Sequence, residues 1–178
     1  MKKHILLCGP IGVGKSTLIR RLLTEAQMDP GGFFTKKETA SGEERSPVYL
    51  YPAGVPVESR TRGIENLVGV CDDCGCREMH PEVFDSLGVA CLQSSVGRDV
   101  VVMDELGFME STAPEFCRAV LKALDGDTPV LAAVKDRAGI AFLQQVRAHP
   151  KGEVIHITPD NREELFCKLL PIVREWKS

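Results

Sequence analysis

The 178-residue chain carries 22 lysines and arginines against 25 aspartates and glutamates, a net charge of −3. So even a balance makes nucleic acid an unexpected partner, because a general grip on phosphates needs a basic surface. With 43% apolar and 26% charged residues, the composition suits one globular domain, 1–178, large enough to bury a core without staples. No apolar run reaches bilayer-spanning length, so no membrane partner is expected. Met1-Lys2-Lys3-His4 leads too quickly into the first motif to be a secretory signal, and a cytoplasmic location is expected.

Short apolar runs alternate with amphipathic stretches. The first strand is predicted at His4 to Cys8. Leu18, Ile19, Leu22, Leu23 and Ala26 recur at the helical period and predict a helix ending near the breaker cluster Asp29-Pro30-Gly31-Gly32. Phe33 to Lys37 and Pro47 to Tyr51 predict a hairpin with Ser41-Gly42 in its loop, followed by a short strand near Val55 to Glu58. Pro81 to Leu92 predicts a helix, weakened by Gly88. Asp99 to Met103 is a continuous apolar strand of the kind buried on both faces of a parallel sheet. Thr112-Ala113-Pro114-Glu115 predicts a capping box opening the next helix, which Asp125-Gly126 ends. A strand at Pro129 to Val134, a helix at Ala138 to Arg147 and a strand at Glu153 to Ile157 follow. Thr158-Pro159 predicts the start of the last helix, with Leu165, Leu169, Val173 and Trp176 on one face and Pro171 kinking it. The alternation predicts an α/β three-layer sandwich with a mainly parallel sheet and an antiparallel hairpin addition.

Gly9-Pro10-Ile11-Gly12-Val13-Gly14-Lys15-Ser16-Thr17 lies between the first strand and the first helix, the context a phosphate-binding loop requires. The glycines let backbone N–H groups approach an anion at the positive end of the helix. Lys15 is placed to bridge the β- and γ-phosphates, Ser16 to ligate Mg²⁺, and Thr17 to support the α-phosphate side. Such a site needs a carboxylate at the end of a neighbouring strand. Val100-Val101-Val102-Met103-Asp104-Glu105 supplies two: Asp104 for Mg²⁺ and Glu105 to orient or deprotonate an attacking water. Asp104-x-x-Gly107 also matches a guanine-nucleotide switch. The base-reading element expected after Pro129–Val134 is instead Val134-Lys135-Asp136-Arg137, where only the lysine fits, so that switch is not expected.

Taken in order, GPIGVGKST, GGFFTKK, VVVMDELGFME, PVLAAV and VIHITPDNREEL run along nearly the whole chain. In this the sequence resembles the cancer-related nucleoside-triphosphatase family, small P-loop NTPases also found in thermophiles. Gly32-Phe33-Phe34-Thr35 together with Asp104-Glu105-Leu106-Gly107-Phe108-Met109-Glu110 carries the resemblance; the loop alone is generic. The resemblance implies a RecA-like fold and slow Mg²⁺-dependent hydrolysis of several triphosphates (ATP, GTP, CTP, UTP) to the diphosphate and phosphate. It places nucleotide contacts at residues 9–17 and near 100–107, and Glu105 matches the family's acidic pair. Where family members often carry a histidine or further basic residue, this chain has Lys135-Asp136.

The cysteines are Cys8, Cys71, Cys74, Cys76, Cys91, Cys117 and Cys167. An odd number in a reducing compartment is expected mostly as free thiols. Cys71, Cys74, Cys76 and His80 are of a type that holds Zn²⁺, and the same cysteines also allow free thiols or a redox pair. Arg60, Arg62, Arg77, Arg137 and Arg162 are each able to meet a phosphate or base, and their spacing selects none. The function expected first is a nucleoside triphosphatase. The alternatives are a P-loop nucleotide or small-molecule kinase and a nucleotide-dependent binding switch.

Overall fold

A computed structural model describes residues 4–39 and 42–177. Its strands form one eight-stranded sheet in the order β5-β4-β3-β2-β6-β7-β1-β8. Five are mutually parallel: β2 (Pro30–Lys37), β6 (Val100–Leu106), β7 (Val130–Lys135), β1 (His4–Gly9) and β8 (Gly152–His156). β3 (Ser46–Pro52), β4 (Leu67–Asp72) and β5 (Gly75–Met79) extend the β2 edge antiparallel. This is the three-layer α/β fold the alternation predicts, with the antiparallel addition one hairpin larger.

Alternate side chains of the central strands feed two cores. Leu6, Cys8, Met103 and Val134 pack with Phe116, Val120 and Leu143 from α4 (Pro114–Asp125) and α5 (Ala141–Arg147). Ile5, Leu7, Val102 and Ala133 pack with Ile19 and Leu22 of α1 (Lys15–Glu25) and Phe166 and Leu169 of α6 (Arg162–Arg174). Every residue of β1 is buried, the cause of its unbroken apolar run. His4 keeps its place there by bonding: the Val130 amide donates to Nδ1 at 3.1 Å, so Nε2 carries the proton, 2.7 Å from the Leu124 carbonyl.

Several local expectations are corrected. α1 ends at Glu25, short of Asp29–Gly32 as expected, but Pro30–Gly32 are already the first residues of β2. Gly32 has φ +86°, and a Cβ there would stand 2.0 Å from the Val102 carbonyl oxygen, so the glycine is needed for close approach to β6. Val55 to Glu58 is not a strand; residues Val57–Ser59 form a 3₁₀ turn after the Pro56 entry. The helix over 81–93 forms as α2 (Pro81–Val83), a π-helical turn (Phe84–Gly88) and α3 (Val89–Gln93). Gly88 gives room to Phe116, whose ring would stand 2.7 Å from a Cβ at that position.

The capping box does not form. Thr112 lies inside a 3₁₀ turn (Met109–Thr112) and donates to the Met109 carbonyl, while Glu115 pairs with Arg118. Asp85 caps α4 from another helix, accepting from the Phe116 amide at 2.8 Å. α5 starts at Ala141, after a turn through Gly139. α6 starts at Arg162 because Asn161 closes the preceding turn, accepting from Thr158 N and donating to the His156 carbonyl. The helix continues through Pro171 to Arg174. Ser41, expected in the first hairpin loop, lies outside the described residues.

Candidate active site

β1 ends at Gly9, and the chain turns through Pro10, Ile11, Gly12, Val13 and Gly14 into α1. Gly14 stands at the helix N-cap with φ +104°; no side chain caps α1 and no acid lies in its first turn. The amides of Lys15, Ser16 and Thr17 therefore open at the positive helix end, with their dipoles aimed outward. Lys15 is buried, and its Nζ donates to the carbonyls of Gly9 at 2.8 Å and Pro10 at 3.0 Å. The loop lines a concavity of about 240 Å³ that also takes in Ser16, Thr17 and Glu105. A second of about 190 Å³ shares Gly14 and Thr17 with it and runs between Arg21, Pro159 and Arg162.

The two carboxylates arrive from β6. That strand is not β1's neighbour, since β7 lies between them. The register pairs Gly9 with Lys135, so the end of β7 sets a lysine beside the loop. Asp104 points to the α1 face and accepts from Ser16 Oγ at 2.7 Å. Burial pushes its carboxyl up to about 6; the Ser16 bond opposes this and the neighbouring Glu105 charge adds to it. A buried carboxylate joined to a hydroxyl is an oxygen donor set that suits a hard divalent cation, and a cation there would offset the desolvation.

Glu105 stands between two ammonium groups, with Oε2 3.6 Å from Lys15 Nζ and Oε1 3.2 Å from Lys135 Nζ. Thr35 of β2 fixes the backbone here. Its hydroxyl accepts from Glu105 N at 3.2 Å and lies 3.3 Å from the Asp104 carbonyl, to which it donates. Glu110 is fully buried under the following loop and accepts from the Gly107 amide. Burial raises its carboxyl to about 7, against the pull of the Gly107 bond and of Lys135.

Sequence reasoning thus brought Gly9–Thr17, Asp104 and Glu105 to one place. It missed Thr35 and Glu110 as supports, although both lie in the segments that carry the family resemblance. Lys135 stands in the sequence both as the one match to the base-reading element and as a departure from the family pattern, and the register makes it a neighbour of Glu105. Of the arginines, Arg162 lies against Gly14, its Cδ 3.1 Å from where a Cβ would be, and Arg137 lies over the Phe108 ring, 4.5 Å from its centroid. Arg62 and Arg77 pair instead with Glu38 and Asp72, and Arg60 lies over Tyr51.

The zinc expectation is corrected. Cys71 and Cys76 are register partners across β4 and β5 and form a disulfide, which also removes them from the free thiols. Cys74 is exposed at the hairpin turn. His80 follows β5, four residues beyond Cys76, or about 13 Å along an extended chain. Four ligands so spread do not share one ion, and no group of three or more His, Cys, Asp or Glu among the described residues is disposed to hold a metal. Cys8, Cys74, Cys91, Cys117 and Cys167 are free thiols. Burial pushes the thiols of Cys91 and Cys117 up to about 11, which keeps them protonated.

The sequence profile of a family described as NTPase matches residues 4–170. This chain belongs to the NTPase family. Among its relatives, the nucleoside-triphosphatase THEP1 of Thermococcus kodakarensis is 31% identical over 99% of this chain and 98% of its own. The human cancer-related nucleoside-triphosphatase is 28% identical, over 98% of each chain. The crystal structure of THEP1 from the hyperthermophile Aquifex aeolicus superposes with a TM-score of 0.75 at 20% identity, over 96% of this chain and 98% of that one. That likeness shows a shared fold. Among the described residues, no helix is long and apolar enough to cross a membrane.

Proposed function

We propose that the chain is a Mg²⁺-dependent nucleoside triphosphatase that converts ATP, GTP, CTP or UTP to the diphosphate and phosphate. The carrying observation is Glu105, held between Lys15 and Lys135 on the wall of the phosphate-loop concavity. Membership of the NTPase family and the nucleoside-triphosphatase activity for which the relatives are named support the same reading.

The β- and γ-phosphates lie on the amides of Gly12 to Thr17, and Lys15 exchanges its carbonyl partners for phosphate oxygens. Ser16 and Asp104 would hold Mg²⁺, which would supply positive charge against the phosphates. Glu105 orients a water for in-line attack and takes its proton. Lys135 steadies the Glu105 carboxylate and stands where charge gathers on the transferring group. Thr35 keeps the Asp104–Glu105 backbone in register with both. The base and sugar extend into the adjoining cleft beside Arg21, Pro159 and Arg162.

Phosphate release from each of the four triphosphates, with Mg²⁺ and then with excess chelator, tests this. Release that stops on chelation is expected; release indifferent to chelation would remove Mg²⁺ from the reaction.

A further inference from the structure

Glu105 lines two spaces. One is the phosphate-loop concavity; the other, adjoining it at Ile11, is a larger cavity of about 580 Å³ walled by Gly9–Ile11 of the loop, β2, β3, the β4–β5 hairpin and the segments after β6 and β7. An attacking water occupies about 30 Å³, whereas a volume of several hundred suits a small organic ligand. The lining is also unlike a water channel. Val48 and Phe108 make an apolar wall, and the Arg137 guanidinium lies over Phe108, 4.5 Å from the ring centroid. That wall accommodates a planar ring. Lys37, Lys135 and Arg137 bring three positive charges against the acids Glu105 and Asp136.

We propose that this cavity is an acceptor site for a second substrate, a flat heterocyclic alcohol carrying an anionic group. Its hydroxyl takes the γ-phosphoryl group in place of water. The inference rests on the placing of the triphosphate and of Glu105 argued above. The ring stacks on the Arg137 guanidinium that covers Phe108, beside Val48, the anion meets Lys37, and the hydroxyl reaches Glu105 and Lys135. In the transfer the hydroxyl proton passes to Glu105 and the acceptor oxygen bonds to the γ-phosphorus. The bond from that phosphorus to the bridging oxygen breaks, its electron pair leaving on the diphosphate. ATP and the alcohol give ADP, the phosphate monoester and one proton. Water attack is then the reaction of the protein without its acceptor.

The test uses the full chain, Mg²⁺ and ATP labelled at the γ-phosphate. The probes are the four ribonucleosides and, separately, their 3′-monophosphates, which offer the same ring and 5′-hydroxyl with an added anion. Label is expected on the 5′-oxygen of at least one probe, with free phosphate falling correspondingly and the 3′-phosphates preferred. Lys37→Ala is expected to raise the apparent KM of a 3′-phosphate about tenfold and to leave that of its parent nucleoside, the loss of one charge-assisted contact. Free phosphate as the sole labelled product with every probe overturns the acceptor site, and so does a probe that slows release without taking label. The arm without probe reads hydrolysis alone. Release there without transfer sinks only the acceptor site, whereas transfer without any release there sinks the hydrolase reading and leaves the acceptor site standing.

Discussion

The two halves of the sheet are buried by different means. In the parallel half, β1 is covered on both faces along its whole length. In the antiparallel half, four of the five residues of β5 are exposed. Strands buried on both faces are pinned by two helical layers, so their carboxyl ends converge at a fixed edge. The loop amides after Gly12 and the side chains of Ser16 and Asp104 meet at that edge, where the proposed anion and cation sites would lie. Of the antiparallel strands only β5 pairs with a single neighbour, and what this side brings to the larger cavity is side chains such as Val48 of β3 and Cys76 of β5, beside Lys37 at the end of β2. The chemistry common to phosphate transfer thus sits on the rigid half, and the features that would choose a partner for the γ-phosphate sit toward the other.

The widest separation between these roles is expected at Glu105. Glu105→Gln keeps the shape but loses the base, and turnover should fall by about a thousandfold with triphosphate affinity within a fewfold of the parent. Single-turnover phosphate release beside equilibrium binding measures both. Unchanged release would remove Glu105 from the chemistry and with it the link between the two halves. Lys15→Ala should act in the opposite sense, weakening triphosphate binding by about a hundredfold, since a buried ammonium contact to phosphate disappears while the loop amides remain. Calorimetric titration with a non-hydrolysable ATP analogue decides; a change below about threefold would mean that the loop amides alone hold the phosphates.

Glu110 lies where the rigid strand gives way to the loop and offers a readout by pH. Its carboxyl is raised from 4.5 to about 7, so between these values the folded chain holds a proton that the unfolded chain has lost. The stabilisation is complete below about pH 4.5 and declines as pH rises through 7, by about 3 kcal/mol in all. Glu110→Gln stays neutral throughout, and its oxygen still accepts from Gly107. Urea unfolding at steps from pH 5 to 8 should show a falling stability in the parent that is flattened in the variant. Equal slopes would place the pH dependence elsewhere.

The same division explains what was legible in the sequence. Val100–Met103 and Val130–Val134 are continuous apolar runs because both faces are covered, and such runs declare themselves. The phosphate loop is legible because glycine at Gly14 and the residues that follow answer to backbone geometry and anion chemistry together. β4 and β5 are not legible because Leu67–Asp72 and Gly75–Met79 mix small, charged and cysteine residues with little alternation, and the cysteines between them suggest thiol or metal chemistry before they suggest a hairpin. Thr35 is unreadable as a site residue, and Lys135 is singled out without a settled partner, because both depend on register: Thr35 follows the Phe34–Asp104 pair, and Lys135 lies opposite Gly9. Helix starts failed at Thr112 and Thr158 for a related reason. In the first case the cap comes from Asp85 on another helix, and in the second a turn closed by Asn161 delays the helix.

The smallest effect is expected at the far edge. The Cys71–Cys76 bond joins register partners of the outermost pair of strands and encloses few residues, so the chain entropy it removes is modest, worth about 2 kcal/mol in the unfolded state. That pair is already closed by the turn at Asp72–Gly75, where the Cys74 amide donates to Asp72. Reduction should therefore lower unfolding stability by about 2 kcal/mol or less, with thiol titration rising from five groups to seven. A Cys71→Ser, Cys76→Ser double variant should match the reduced parent and ignore reductant. A loss well above about 3 kcal/mol on reduction would show that the antiparallel edge helps hold the parallel half together, and the division between a rigid catalytic half and a loosely attached edge would fail.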